Sequence, residues 1–548
     1  MFINCEYTPR VIMNRISSVL LLVLLLGVSG LAAPSLALAS SSAAATQSSS
    51  CTSSNTLNWF EAGGTPTGFN FISSPPTLSD FDPARFMYQG FSGFAFTNGT
   101  ISLQDSITNS VTHNANYTQW TFVIKPGMTW SNGQPVTAAD ILATYGPNFG
   151  LNASFDVFNF HSIVTKAYAP NTTTAVFDFN QSTAWFPALA GANSFTGVYP
   201  VAFTQHGGAY SGINATPGTL VGDGPFYTSG YASGDTQMVM LANPYYTPQP
   251  KVCKIVMNFV ESDAQDATYL IGGKADIAPI EPGAVGSLAG HPNLHIIDAP
   301  AVNNLFLGYN VTVYPYNQLA FRQALLYGIN QSAIQQQAFF GYDTTAYNAQ
   351  GGVPPQTTLY YNAHQSNYTY DPAQALSLLH SVGYTGGTNG APLRYPNGTA
   401  VTLTIYSGNE FEGNTLAGGI VQNDLQSIGI KINLQSVSIG TLIGDSYQGL
   451  LEYGMQLFDS GGPVHGIPYL DALPSWEVYT PTNPYPVWEP TPQAEANYNG
   501  NFTCISASDV PSVITPCLNN IQSINSQQLP DIMLGYPDII YGVSILCI

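Results

Sequence analysis

Two cysteines are the residues best placed for covalent chemistry. Cys504 and Cys517 lie close together in the Pro-rich and aromatic stretch 477–518, and their spacing predicts a local disulfide. Cys51 with Cys253 is a second feasible pair, which leaves Cys547 single, while Cys5 lies in or ahead of a leader segment. The alternative is that all six are buried thiols. No cysteine pair has metal-ligand spacing. Of the histidines, His113, His161, His206, His364, His380 and His465 stand alone. His291 and His295 are four apart, but Pro292 lies between them and no acid accompanies them. There is no HExxH, no GxSxG and no Walker loop. Gly222-Asp223-Gly224 runs too soon into Pro225 for a dinucleotide loop, and Gly273-Lys274 lacks the glycine before it and the Ser or Thr after it of a phosphate loop. The pattern predicts no enzyme, no cofactor and no metal. A paired-carboxylate secreted glycoside hydrolase stays open as the enzymatic alternative, because such pairs have no sequence spacing to read.

The elements around these residues are more telling. Trp120, Phe122 and Ile124 alternate with Thr121 and Val123 as a half-buried strand; Pro126-Gly127 turns it, Met128 to Trp130 returns, and Ser131-Asn132-Gly133 turns again. Thr137 then caps a helix whose third residue is Asp140, a variant of the capping box. This strand, turn, strand, turn, capped helix resembles a signature of the extracellular solute-binding proteins of ABC importers, in the family 5 branch that takes up peptides and related solutes.

The resemblance continues in order over roughly residues 55–465. Gly222-Asp223-Gly224-Pro225-Phe226 and Asn243-Pro244-Tyr245-Tyr246 are similar to the family's Gly-Pro-aromatic turn and Asn-Pro-x-Tyr strand end. LIGGKADIAPI (270–280) resembles its helix-to-strand joint, and FRQALLYGINQSAI (321–334) its Arg-Gln-Ala-Leu helix, with Asn330 where a cap begins the next one. YDPAQALSLLHSVGY (370–384) has Asp371 as N-cap, Pro372 at the first helical position and Gly383 as the closing residue. LQSIGIKINL (425–434) matches a helix-Gly-strand joint.

The resemblance implies a mixed α/β, type II periplasmic-binding-protein clamshell of two main lobes plus an additional lobe. Residues 1–39 form a signal peptide and 40–54 a Ser-rich linker. Lobe I takes 55–89, 225–305 and 531–548, the additional lobe II takes 90–224, and lobe III takes 306–530. Extended hinge crossings are expected near 303–312 and 530–545, and the Pro-rich stretch 477–518 is expected to be a surface loop. The solute, a small oligopeptide or oligosaccharide, would sit between lobes I and III, held by Glu61, Gly63, Tyr88, Phe458, Asp459, Ser460 and Trp476, and the closed monomer would dock on membrane permease subunits. In peptide-binding relatives a Gly-Trp-x-x-Asp segment captures the amino terminus. Here Asp459-Ser460 stand in place of Gly-Trp, and Gly462 or Pro463 falls where the Asp would be. Neutral hydrogen-bonding groups and aromatic faces, 33 Tyr among them, suit sugar rings instead.

Composition bounds the compartment. Only 11 Lys plus Arg oppose 31 Asp plus Glu, and charged residues are 8% of the 548, against roughly 25% in ordinary proteins. So few basic groups exclude a nucleic-acid partner. They also limit positive self-repulsion in acid, which predicts an archaeal acidophile's protein. Arg10 and Arg15 before the apolar run Val19 to Leu26, with Ala37-Leu38-Ala39 as a cleavage site, read as an export signal; an uncleaved N-terminal membrane anchor is the alternative. Eleven Asn-x-Ser/Thr sequons between Asn98 and Asn501 suit an extracellular glycoprotein. A glycosylated surface-layer protein is the non-enzymatic alternative, though no repeated module is visible.

Overall fold

The computed structural model describes residues 56–66, 78–90, 94–97, 100–103, 107–145, 163–187, 197–201, 220–228, 230–231, 234–299, 303–311, 313–355, 360–409, 411–438, 441–442, 454–461 and 492–545. The expected signal, linker, Cys51 and Trp476 lie outside them. Three principal sheets organise the chain. The near sheet has seven strands in the order Leu294–Ala299, Ile539–Ser544, Ile277–Pro279, Thr56–Ala62, Lys254–Val260, Gln237–Ala242, Phe226–Thr228. The far sheet has six, in the order Asp343–Thr345, Ile532–Pro537, Asn303–Gly308, Gly454–Gly461, Thr402–Gly408, Lys431–Val437. The side sheet has four, in the order Thr108–His113, Gln119–Ile124, Thr174–Phe179, Val164–Asn171. Both larger sheets are mixed, and the fold is a type II periplasmic-binding-protein α/β architecture.

The sequence motifs are the joints of these sheets. Asp276 precedes the strand Ile277–Pro279, and its Oδ2 accepts from the Asn58 amide at 2.7 Å and the Asn58 side chain at 3.0 Å, tying that strand to Thr56–Ala62. Asn243 is fully buried, and its Nδ2 donates to Gly224 O at 2.9 Å while its Oδ1 accepts from Tyr245 N at 3.0 Å, so the Gly-Pro-aromatic turn and the Asn-Pro turn form one unit. Gly224 permits this: a Cβ there would lie 2.4 Å from Phe86 O. Asp371 caps Pro372–Ser381 by accepting from Gln374 N at 2.9 Å, and Gly383 ends it at φ +95°. Asn330 caps the next helix through Ala333 N.

Two expectations change. Asp140 Oδ2 accepts from the Thr137 amide at 2.8 Å, but the Thr137 hydroxyl donates to the same oxygen at 2.9 Å instead of accepting from the first turn. Aspartate's short arm brings its carboxylate close enough to capture that hydroxyl, and its other oxygen accepts from Val201 N at 2.9 Å. The second change concerns 477–518, where Pro492–Ser506 is a helix and Pro511–Gln528 is another. Proline begins each of them, a position at which its missing N–H and fixed φ cost nothing. The expected disulfide joins these helices: Cys504 and Cys517 are bonded, with Cα atoms 6.4 Å apart. Cys253 is disulfide-bonded as well.

Candidate functional site

The two larger sheets meet at their chain crossings. The strand Leu294–Ala299 belongs to the near sheet and Asn303–Gly308 to the far one; Ile532–Pro537 belongs to the far sheet and Ile539–Ser544 to the near one. The boundaries expected at 305/306 and 530/531 therefore fall inside or before far-sheet strands, because both strands pair with Gly454–Gly461 or with each other. The return crossing is the single residue Asp538, whose amide donates to Tyr342 O at 3.0 Å. Asp538 also shares a side-chain hydrogen bond with Asp298 beside the first crossing, and burial raises the Asp298 carboxyl above the ordinary carboxylate range.

Strand direction locates the edge that the two sheets present to each other. Thr56–Ala62 is parallel to Lys254–Val260 and Ile277–Pro279, and Thr402–Gly408 is parallel to Lys431–Val437 and Gly454–Gly461. Glu281 follows the carboxyl end of the near strand Ile277–Pro279. Its Oε1 accepts from the backbone N–H of Glu412, the first residue of the far helix Glu412–Ser427, which follows the carboxyl end of Thr402–Gly408. Carboxyl ends thus face carboxyl ends, the place where open α/β sheets bind ligands. A second close approach lies alongside: a Cβ on Gly283 would be 2.9 Å from the Phe340 ring. Tyr342 packs on the near-lobe cluster of Ala267, Leu270 and Leu288.

Charge on this edge is acidic. Glu281 is buried beside Asp263 and Asp266, and Asp266 is fully buried with no hydrogen-bond partner on either oxygen. Desolvation pushes Asp266 up to about 7, with the Glu281 charge adding to it. Desolvation also raises Asp263 and Glu281, which share a hydrogen bond. Three carboxyls this close cannot all ionise cheaply, which favours their neutral forms. Among the described residues no group of three or more His, Cys, Asp or Glu could hold a metal ion.

The residues expected at the site fall in three places. Glu61 and Gly63 stand at the carboxyl end of Thr56–Ala62, on the facing edge. Glu61 is half-buried, its Oε2 accepts from the Trp59 indole at 2.9 Å, and Gly63 turns the chain at φ +104°. Phe458, Asp459 and Ser460 are the last residues but one of the far strand Gly454–Gly461, paired with Phe306, Leu305 and Asn304. Tyr88 directly follows the helix Leu78–Met87 and is buried, with its ring edge-on to Tyr199 at 4.9 Å between centroids. Trp476 is outside the described residues. Glu281, Asp263, Asp266 and Glu412 were not singled out in the sequence. A lone acid beside a turn proline, as in Glu281-Pro282, carries no pattern that marks a contact more than a hundred residues away.

A model of the bacterial extracellular solute-binding proteins, family 5, matches residues 103–462. The chain belongs to that family. Among curated relatives it is similar to the glutathione-binding protein GsiB of Shigella flexneri serotype 5b, 24% identical over 402 residues that cover 72% of this chain and 73% of the relative. Among solved structures it resembles the oligopeptide-binding protein AppA of Bacillus subtilis in complex with a nonapeptide, at TM-score 0.75 and 16% identity over 89% of this chain and 94% of that one. It also resembles the mannohexaose-bound periplasmic oligopeptide-binding protein of Thermotoga maritima, at TM-score 0.72 and 19% identity over 90% and 93%. These family 5 relatives are solute-binding proteins. No helix among the described residues is long and apolar enough to cross a membrane.

Proposed function

We propose that this chain is the extracellular substrate-binding protein of an ABC importer, which captures a small oligopeptide or oligosaccharide between its near and far sheets and presents the closed form to permease subunits. The observation that carries this reading is the pair of facing carboxyl-end edges joined by two chain crossings. A hinge of that kind lets a solute touch both walls only when closed, so its differential affinity shifts the population toward the closed state. Relatives bound to a nonapeptide and to mannohexaose support both solute classes for such a fold. Glu61, Gly63, Asp459 and Ser460 are the residues we assign to the walls, with Tyr88, Phe458 and Trp476 as further candidates; no bond is made or broken. The protein works as an exported, glycosylated monomer in an acidic medium, a reading supported by its composition and by the burial that raises the Asp263, Asp266 and Glu281 carboxyls. Calorimetry with a panel of di- to penta-peptides and cello- or malto-oligosaccharides tests the function. Saturable one-to-one binding without turnover is expected, and hydrolysis of a glycoside in the panel would replace this reading with an enzyme.

A further inference from the structure

A carboxylate entering a dry site needs a cation, a row of free amides or a helix N-terminus to replace its lost water. Cations can be accounted for completely here. Of the 11 lysines and arginines, Arg10 and Arg15 lie ahead of the first described residue in sequence, and the other nine all fall among the described residues, so the sequence between them holds no further cation.

Five of those nine mark the ends of the two sheets remote from the facing edge. Lys254 begins its near strand and Lys431 its far strand. Lys274 sits in the turn before Ile277–Pro279, 5.6 Å from the Tyr269 ring centroid. Arg394 bridges to Ala400 just before Thr402–Gly408. Arg322 is buried and donates to Tyr316 O and Gln528 O, both at 2.6 Å, near the start of Ile532–Pro537. Of the others, Lys251 precedes Lys254, Arg85 is in the last turn of Leu78–Met87, Lys125 directly follows the side-sheet strand Gln119–Ile124, and Lys166 is in the side-sheet strand Val164–Asn171, 4.4 Å from the Tyr168 ring centroid.

The facing edge carries the opposite sign: Glu61, Glu261, Glu412 and Asp459 follow or end its strands. The helix N-terminus presented there by Glu412–Ser427 is already taken, since the chain's own Glu281 accepts its first amide.

From this we infer that the cleft discriminates against a free carboxylate and selects solutes that are uncharged along their length, oligosaccharides foremost. The inference rests on the reading of this edge as the capture site. Its test is calorimetry at pH 7.5, where an ordinary imidazole is mostly neutral, on matched pairs: malto- or cello-oligosaccharides against their aldonic acids, and peptide amides against the free acids. In every pair that binds, the member without the carboxylate should bind at least about tenfold tighter, because a like-charge juxtaposition in a desolvated site is costly. Glu412→Lys, which puts a cation on the edge, should narrow that gap. An acid that binds as tightly as its neutral partner, or a gap that the lysine leaves unchanged, overturns the inference while the transport reading stands. Failure of every member to bind overturns the transport reading and this inference with it.

Discussion

The two ends of the same pair of sheets differ in what their polar groups are for. At the amino ends, ionic groups are spent on the fold: Arg322 is buried and donates to two backbone carbonyls, and the bridge of Arg394 leads into a strand. At the carboxyl ends acids collect, a carboxyl of one lobe reaches the helix of the other, and Asp266 is buried without a partner. Unsatisfied burial is costly, and at this edge it lies beside the contact of Glu281 with the helix Glu412–Ser427. The remote ends carry the cations instead.

Four variants can break or sharpen that comparison. The largest effect is expected at the remote end: Arg322→Ala strands two carbonyls and should lower stability by about 2–4 kcal/mol in denaturant unfolding. An equal loss from any facing-edge acid would erase the distinction. Removing the helix staple with Cys504→Ser and Cys517→Ser opens a short loop and should cost about 2–3 kcal/mol by the same measurement, leaving solute affinity unchanged.

Asp266→Asn should act in the opposite direction, and its sign depends on pH. A carboxyl raised to about 7 in the folded state binds its proton more tightly there than in the unfolded chain. Stability is therefore full in acid and is lost as pH rises from about 4 through about 7. At pH 8 the asparagine should recover about 1–3 kcal/mol, and thermal melts across pH 4–8 should show a flatter slope than the parent. A parent protein that melts at a higher temperature at pH 8 than at pH 4 would contradict the assignment of the carboxyl cluster. The smallest effect on folding is expected at Glu61→Gln, which keeps an acceptor for the Trp59 indole and should change stability by no more than about 0.5 kcal/mol, while changing solute affinity in calorimetry.

Legibility in the sequence followed the same division. Residues that close local turns announce themselves, so Asp371 with Pro372, Asn330, Gly383 and the Asp276 joint were readable as caps and joints. The order of motifs along the chain implied a two-lobed fold with an extra lobe. Strand membership at the crossings was less readable, since Ile532–Pro537 and Ile539–Ser544 are continuous apolar runs separated by one aspartate and nothing local says which sheet each joins. The prolines of 492–518 read as loop markers because a helix-starting proline looks like a breaker until the residues after it are seen to coil. On the facing edge, Glu61 and Asp459 could be named from strand ends, whereas Glu281 touching Glu412 is a product of topology alone.

Small-angle scattering on the purified protein, with and without a saturating solute found by calorimetry, tests the hinge most directly. The radius of gyration should fall on addition of solute, with a midpoint at the calorimetric dissociation constant. Tight binding with an unchanged scattering profile would mean that the two sheets do not close on their guest, and the account would be wrong.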